Sequence, residues 1–243
     1  METGLRSRPI LVTGASGGIG AATVRLLVQE GAHVIAAGRN LQRLSELEAE
    51  TGCSTVAFDL TSEDEIQSAL SDVDLYGVVN CGGWGGEIAT PMETDINVFD
   101  KVMSINARGI LLVTKYASQS MIEAGKGGAI VNVSSQASLV GLAGHISYAS
   151  SKGAVDAMTR VSALELGKYN IRVNAVNPTV VMTPMSEWYW GREEIGGPLL
   201  DAMPLHRWAT EADCAGPIVF LLSDAAAMIS GVCLPVDGGF TAV

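Results

Sequence analysis

Short apolar runs alternate with longer helical patterns along the whole chain, and this alternation limits the folds open to it. Apolar, β-branched runs predict strands at 10–13, 33–37, 55–58, 77–80, 129–133, 172–176 and 232–235. Helical periodicity predicts helices near 19–30, 41–50, 63–71, 98–124, 147–169 and 211–222. Strands that are apolar throughout and separated by helices are typical of a parallel sheet covered on both faces. The sequence therefore predicts a doubly wound α/β fold with seven parallel strands.

The composition and the absence of a boundary signal favour one large domain. The 243 residues are 48% hydrophobic and 17% charged, which is enough to bury a sizeable core. No repeat, low-complexity linker or charge block marks a boundary, so we expect a single domain over 1–243. The segment 184–204 departs from the alternation, because it carries Trp188, Tyr189, Trp190 and two glycine-rich turns. We expect it to form an irregular lid or wall over a substrate.

The net charge of −11 argues against nucleic acids and anionic membranes as partners, because the chain has no cluster of Lys and Arg to bind them. No stretch approaches the roughly 20 apolar residues of a membrane span, and the apolar run at 10–12 is too short for a signal peptide. We therefore expect a cytoplasmic protein. No C-x-x-C spacing indicates a metal site or a disulfide framework among the four cysteines, which are Cys53, Cys81, Cys214 and Cys233.

A glycine-rich turn, TGASGGIG, joins the first predicted strand to the first predicted helix. A phosphate can approach a backbone that lacks Cβ atoms, as at Gly14, Gly18 and Gly20, and can bind at the N-terminus of a helix. The spacing is G-x-x-x-G-x-G and not the usual G-x-G-x-x-G fingerprint, so ordinary turn chemistry stays an alternative. Its position between strand and helix favours a dinucleotide cofactor.

The end of the second predicted strand, AAGRN, holds no carboxylate that could accept hydrogen bonds from the ribose of NAD. Arg39 lies 19 residues after Gly20, where a guanidinium can pair with a 2′-phosphate. We therefore expect NADP(H) as the favoured cofactor, helped by Ser16 or Asn40. NAD(H) stays an alternative, as does an Arg39 that only caps a loop in solvent.

A serine, a tyrosine and a lysine in the second half of the chain indicate chemistry on a carbonyl group. Ser135 ends the apolar strand GAIVNVSS, and Tyr148 follows it by thirteen residues. Ligands of open α/β sheets bind beyond the carboxyl ends of strands, where both hydroxyls can reach one substrate oxygen. Lys152 lies one helical turn after Tyr148, and an ammonium there is expected to lower the pKa of the phenol. The alternative is a half-buried aromatic beside a solvated charge.

On the basis of these motifs, the chain resembles the short-chain dehydrogenase/reductase family over essentially its whole length. Members of that family have a Rossmann fold. Asp59 in AFDL and Asn106 in SINARG match the adenine-side Asp and the helix-borne Asn of that family. Its remaining motifs are matched by Thr13, Gly14, Gly18, Ile19, Gly20, Ser135, Tyr148 and Lys152.

The resemblance implies a catalytic role for four residues. Ser135 would polarise the carbonyl group, and Tyr148 would exchange a proton with its oxygen. Lys152 would hold the nicotinamide ribose and lower the pKa of the tyrosine, while Asn106 would position a water that relays protons to Lys152. The nicotinamide would supply the hydride.

The resemblance also implies a set of cofactor-binding residues, with two departures from the family pattern. Cys81 replaces the second Asn after the fourth strand, and Thr179 replaces the Gly after the sixth. The last three residues of the set match positions that hold the nicotinamide carboxamide. The set is Gly14, Ser16, Gly18, Ile19, Gly20, Arg39, Asp59, Leu60, Asn80, Gly82, Tyr148, Lys152, Pro178, Val181 and Thr183.

Within the family, the runs AIVNVSSQAS, NPTVVMT and LLSDAAAMISGVCLPVDGGF most resemble an NADPH-linked branch of tetrameric carbonyl reductases. That branch lines its substrate pocket with a His and a Trp that match His145 and Trp190, so the implied substrate-binding residues are these two with Ser135 and Tyr148. Either aromatic residue could instead be an ordinary loop or lid residue. The resemblance also implies a homotetramer, and the cysteine spacing already gave no reason to expect a metal.

We therefore expect an NADP(H)-dependent oxidoreductase that acts on a small polar carbonyl compound or the corresponding alcohol, such as a ketose, a polyol or an α-dicarbonyl. Two alternatives stay open. One is an NAD-linked polyol or 3-hydroxyacyl dehydrogenase of the same fold, and the other is a non-catalytic sensor of NADP(H). The presence of Ser135, Tyr148 and Lys152 argues against the sensor, because a module that only binds the cofactor does not need the phenol.

Overall fold

The computed structural model of the chain describes residues 3–183 and 186–242. The strands of this part are β1 (Pro9–Thr13), β2 (His33–Gly38), β3 (Ser54–Ala57), β4 (Gly77–Asn80), β5 (Gly128–Val133), β6 (Ile171–Pro178) and β7 (Cys233–Val236). They form one seven-stranded sheet in the order β3-β2-β1-β4-β5-β6-β7, and every pair of neighbours is parallel. The predicted doubly wound, parallel Rossmann fold is confirmed.

Helices connect the strands and cover both faces of the sheet. They are α1 (Gly18–Gln29), α2 (Leu41–Thr51), α3 (Glu63–Leu70), α4 (Ile96–Met103), α5 (Gly109–Ala124), α6 (Ile146–Leu166), α7 (Glu187–Trp190), α8 (Glu193–Asp201) and α9 (Glu211–Leu222). Short 3₁₀ turns lie at Gln136–Ser138, Gly167–Tyr169, Asp224–Ala226 and Phe240–Ala242. Within the described ranges, no helix is both long enough and apolar enough to cross a membrane.

In the described residues, the two larger parts of the core lie one on each face of the sheet, and a small third cluster is formed by Val181, Ala209 and Cys214. In β1, Ile10 and Val12 belong to the part that α1 and α9 cover, whereas Leu11 belongs to the part that α3 and α5 cover. Successive side chains of a strand point to opposite faces, so strands buried on both faces are apolar at every position. This is the physical basis of the continuous apolar runs in the sequence.

Two predicted elements differ from the structure. The single helix expected at 98–124 is α4 and α5 joined by a π-helical segment, Ser104–Arg108. The irregular segment expected at 184–204 contains two helices, α7 and α8, and its residues 184 and 185 lie outside the described residues. Its glycines suggested turns, but a Cβ at Gly196 would lie 2.1 Å from the carbonyl oxygen of Trp190, so that glycine serves close packing instead.

The order of the strands reverses between β1 and β4, which is where open α/β sheets bind their ligands. Thr13 and Asn80 end these two strands and pair in register. The Thr13 hydroxyl oxygen accepts hydrogen bonds from the backbone N–H groups of Cys81 (3.2 Å) and Gly82 (3.3 Å). These bonds fix the loop after β4 beside the glycine turn after β1.

Candidate active site

A cavity of about 700 Å³ opens at the carboxyl ends of the strands, across this reversal point. Three of the predicted site residues do not line it: Gly20, Asn80 and Asn106. The others do, and they are Gly14, Ser16, Gly18, Ile19, Arg39, Asp59, Leu60, Gly82, Ser135, His145, Tyr148, Lys152, Pro178, Val181, Thr183 and Trp190. The fold therefore brings residues that are far apart in sequence to a single cavity.

The glycine turn is packed tightly against the loop after β4. Gly14 has a φ of +66°, and a Cβ on it would lie 2.7 Å from the backbone of Gly82. A Cβ on Gly20 would lie 2.3 Å from the carbonyl oxygen of Gly14. Packing within the protein therefore requires both glycines, and Gly20 supports the turn from behind instead of facing a ligand.

The predicted cofactor residue Asn80 also lies behind the cavity. Its amide nitrogen donates to the side-chain oxygen of Asn132 (2.8 Å) and to the Thr114 hydroxyl (3.3 Å). The side chain therefore ties β4 to β5 and α5 from behind the cavity wall, and its role in cofactor binding stays a prediction.

Arg39 is exposed and forms an ion pair of 3.1 Å with Asp59. Hydrogen bonds from the backbone and hydroxyl of Thr61, together with this ion pair, hold the pKa of Asp59 below its usual value. The side-chain oxygen of Asn40 accepts from the backbone N–H of Arg43 and caps α2, so only the amide nitrogen of this side chain could donate to a phosphate.

Arg43 lines the same end of the cavity and was missed by the sequence reasoning. Its Nη1 lies 3.4 Å from where a Cβ of Gly17 would be, so the guanidinium reaches over the glycine turn. Within the described ranges, Arg43 forms no ion pair. An arginine in the first turn of an exposed helix carries no motif, so only its position in space reveals it.

Ser135, Tyr148 and Lys152 meet at the other end of the cavity. Ser135 hydrogen-bonds the Tyr148 hydroxyl, and the Lys152 ammonium lies 5.6 Å from the centre of the tyrosine ring. Lys152 is buried, and its Nζ donates to the carbonyl oxygen of Val133 at 2.7 Å. The alternative of a solvated lysine is therefore wrong.

Burial governs the protonation of Tyr148 and Lys152. It raises the pKa of Tyr148, and the hydrogen bond from Ser135 offsets this only in part. The expected lowering of the tyrosine pKa by Lys152 is therefore not found here. Burial also lowers the pKa of Lys152 to about 8, because desolvation disfavours the charged form of each group.

Asn106 lies in the π-helical segment and is completely buried. Its side-chain oxygen accepts from the backbone N–H of Trp84 (2.7 Å), and its amide nitrogen donates to the Trp84 carbonyl (2.9 Å) and the Ser151 hydroxyl (3.1 Å). These bonds fasten the loop after β4 to α6, directly behind Lys152. π-helical insertions are frequent at functional sites because they redirect one side chain of a helix.

An aromatic cluster forms the outer wall beside Tyr148. The ring of His145 stacks on Trp190, with centroids 5.4 Å apart and an interplanar angle of 19°, and meets Tyr189 edge-on. His145 is buried, and its Nδ1 lies 2.7 Å from the Ala143 carbonyl oxygen. Burial lowers the pKa of His145, so the imidazole is neutral at physiological pH.

Two buried polar atoms on the cavity wall have no hydrogen-bond partner in the described part of the chain. They are the side-chain oxygen of Gln136 and the hydroxyl of Thr179. Buried polar atoms are normally paired, so both indicate a polar ligand at this end of the cavity. The sequence marked Thr179 only as a departure from the family pattern, and it gave no signal for Gln136.

The other departure, Cys81, is not a nucleophile. Burial raises the pKa of its thiol to about 12, even though the positive charge of Lys152 acts in the opposite direction. A thiol that stays protonated is inert, so Cys81 fills space between the glycine turn and Lys152.

A doubly wound sheet with Ser135, Tyr148 and Lys152 at its reversal point is matched by a known family. Residues 14–241 match the family model described as enoyl-(acyl carrier protein) reductase. The chain belongs to the short-chain dehydrogenase/reductase family of NAD(P)(H)-dependent oxidoreductases, as its motifs predicted.

Individual relatives cover essentially the whole chain. It is 42% identical to L-xylulose reductase of Mesocricetus auratus over 241 residues, and the match covers 99% of each chain. It is 38% identical over 241 residues to carbonyl reductase (NADPH) 2 of Sus scrofa, which is 99% of this chain and 98% of the relative. A solved short-chain type dehydrogenase/reductase from Mycobacterium ulcerans has a TM-score of 0.93 and 32% identity, covering 98% of this chain and 91% of that one. The predicted resemblance to a carbonyl reductase branch is confirmed.

Proposed function

We propose that this protein is an NADP(H)-dependent reductase of a small polar carbonyl compound, a ketose or an α-dicarbonyl, and that it oxidises the corresponding alcohol in reverse. The observation that carries the proposal is the grouping of Ser135, Tyr148 and Lys152 in the cavity that also holds the glycine turn and Arg39. The names L-xylulose reductase and carbonyl reductase (NADPH) 2 among the relatives support the substrate class and the cofactor.

The cavity fits a dinucleotide. Its volume of about 700 Å³ lies in the range of cofactor sites. Gly17 and Gly18 keep side chains out of the approach to the N-terminus of α1, which suits a pyrophosphate. The unpaired hydroxyl of Thr179, with Pro178, Val181 and Thr183 beside it, would hold the nicotinamide carboxamide. At the opposite end, Asp59 and Leu60 would border the adenine, and Arg39 and Arg43 would face a 2′-phosphate.

In the reduction, the Tyr148 hydroxyl donates its proton to the carbonyl oxygen while Ser135 donates a hydrogen bond to the same oxygen. NADPH, when bound, supplies the hydride that reaches the carbonyl carbon. Because burial raises its pKa, the phenol is protonated at neutral pH and suits the direction of reduction. Lys152, with a pKa of about 8, is mostly an ammonium at pH 7 and stabilises the phenolate that remains. We retain the water relay from Asn106 to Lys152 as part of this proposal.

The aromatic wall sets the proposed substrate end. Because its Nδ1 hydrogen points to the Ala143 carbonyl oxygen, a neutral His145 can accept a hydrogen bond from a substrate hydroxyl at Nε2, and its stacking on Trp190 fixes its orientation. Gln136 offers a further polar atom at the same end. We propose that residues 184–204 act as a lid over this end, within a single domain spanning 1–243.

The test is turnover of a panel of ketoses, polyols and α-dicarbonyls, followed by the absorbance of NADPH and of NADH. We expect reduction with NADPH and a kcat lower by about 10²- to 10⁴-fold in Tyr148→Phe, because the proton donor is lost. That variant should still bind NADPH. The control Tyr169→Phe, at an exposed position, should match the wild type.

Turnover with NADH alone would favour the NAD-linked alternative. Cofactor binding without turnover of any carbonyl compound would favour the sensor. Full activity in Tyr148→Phe would reject the mechanism while leaving the substrate class standing.

A further inference from the structure

Asp156 is a buried carboxylate that no motif of the sequence marked. It lies on α6, one helical turn after Lys152, and is 3% exposed. Its oxygens accept from the Asn177 amide nitrogen at 3.0 and 3.2 Å and from the Ser138 hydroxyl at 2.6 Å, and the Cys233 thiol also hydrogen-bonds it. In the described part of the chain it forms no ion pair. A buried charge held only by neutral donors is costly, so it calls for a reason beyond packing.

The donors that hold Asp156 also hold Ser135. The Ser138 hydroxyl lies 2.6 Å from the carbonyl oxygen of Ser135 and shares its single hydrogen between that oxygen and Asp156, whereas the Asn177 amide group, which has two hydrogens, donates to the same oxygen at 3.2 Å. Ser135 begins the 3₁₀ turn Gln136–Ser138, and its own hydroxyl oxygen accepts from the backbone N–H of Ala137 at 3.2 Å. The turn thus fixes the direction of the Ser135 hydroxyl, and Asp156 fastens the far end of the turn to α6 and β6.

The charge of Asp156 acts on Lys152 as well. Three titratable groups face the ammonium, which are Cys81 from the loop after β4 and Tyr148 and Asp156 from α6. Burial keeps the Cys81 thiol neutral at physiological pH. The carboxylate of Asp156 raises the pKa of Lys152 and so opposes the effect of its desolvation. On its other side, the exposed Arg160 approaches Asp156 only through the Cys233 sulfur, 3.5 Å from its Nη1.

We propose that Asp156 is a positioning residue, which holds the Ser135 turn through Ser138 and Asn177 and keeps Lys152 charged from one helical turn away. Asp156 does not line the cavity, so it acts through the serine and the lysine. This inference rests on the roles proposed above for those two residues.

The two effects are separated by two variants. Asp156→Asn removes the charge, and Ser138→Ala removes the tie to the turn but keeps the charge. We expect Asp156→Asn to lower kcat for carbonyl reduction at pH 7 by about tenfold or more. In the pH profile of kcat, the alkaline limb, where activity falls as pH rises, should move to lower pH by about 0.5 to 1 unit in this variant. Lys152 loses its proton more easily without the nearby negative charge. Ser138→Ala should lower kcat about three- to tenfold and leave the limb in place.

Two further variants serve as controls. Asp156→Glu keeps the charge and should keep the wild-type position of the limb. Glu165→Gln removes an exposed negative charge from the same helix and should change neither kcat nor the limb. The KM for NADPH should stay near the wild-type value in all four variants.

A kcat equal to that of the wild type in both Asp156→Asn and Ser138→Ala would overturn the positioning role. An unmoved limb in Asp156→Asn would overturn the electrostatic role. If Asp156→Asn does not fold, wild-type kcat in Ser138→Ala or a displaced limb in Asp156→Glu overturns the inference. An inactive wild type would instead count against the proposed function.

Discussion

Burial decides the chemistry of individual side chains in this site. Lys152 looks like a surface residue in sequence, yet its ammonium is buried against a backbone carbonyl and its pKa falls to about 8. Tyr148 shifts in the opposite direction, because its charged form is the deprotonated one. Both shifts leave a protonated phenol beside an ammonium near pH 7, which is the state a carbonyl reductase needs.

Arg39 and Arg43 should each contribute to a preference for NADPH over NADH. Removing Arg39 or Arg43 by substitution with Ala should weaken NADPH binding about tenfold and leave NADH binding unchanged, because only NADPH carries the 2′-phosphate. Dissociation constants from fluorescence titration with each cofactor measure this. Arg6→Ala, at an exposed position far from the cavity, is the matched control. Equal weakening for both cofactors would refute the assignment.

At the scale of elements, the loops after β1 and β4 build the proposed cofactor end by close backbone contact. A Cβ on Gly14 would collide with the backbone of Gly82, whereas a Cβ on Gly82 would meet the side chain of Leu60, and Thr13 joins the two loops by hydrogen bonds. The π-helical segment between α4 and α5 supports the proposed catalytic end, because it turns the Asn106 side chain toward Trp84 and Ser151.

Alanine substitutions at Gly14 and Gly52 separate the cost of backbone strain from the cost of a steric contact. Gly14 and Gly52 both have positive φ, at +66° and +74°, but only Gly14 has atoms within 4 Å of its would-be Cβ. Gly52→Ala should cost about 1 kcal/mol from backbone strain alone. Gly14→Ala should cost clearly more and also weaken NADPH binding, since the loop after β4 must move. Urea unfolding and cofactor titration measure both, and equal costs would show that the contact is unimportant.

At the scale of the whole molecule, helices on one face of the sheet leave apolar side chains in solvent. Leu111 on α5 is 51% exposed, and Val161 and Leu164 on α6 are 54% and 83% exposed. Exposed apolar surface on adjacent helices is typical of an interface between subunits. We propose the homotetramer that the family resemblance implies, with these helices at one of its interfaces.

Leu164→Lys tests this interface, because a charge in a buried apolar contact disfavours assembly. We expect a tetramer for the wild type and a smaller species for the variant by light scattering during size-exclusion chromatography. Leu41→Lys, which changes an equally apolar exposed residue on α2, should leave the mass unchanged. A monomeric wild type, or an unaltered mass in Leu164→Lys, would contradict the proposal.

The sequence by itself determined the sheet, the order of its elements and the main components of the site. Hydrophobic periodicity is a local property, and it placed all seven strands of the described residues within a few positions. The turn TGASGGIG and the Tyr148–Lys152 pair also carry their own spacing, so their contacts follow from the strand and helix that bear them.

Only the tertiary structure decided which side chains face the cavity and how they ionise. Asn80 and Asn106 lie behind the wall because partners from distant segments bind them, and Arg43 faces it because α2 packs beside the glycine turn. Burial, which depends on every neighbouring element, reversed the expected pKa shift of Tyr148. Asp156 likewise acquires its significance only where α6, β6, β7 and the Ser135 turn meet, since hydrogen bonding and desolvation are set by contacts in space and not by spacing along the chain.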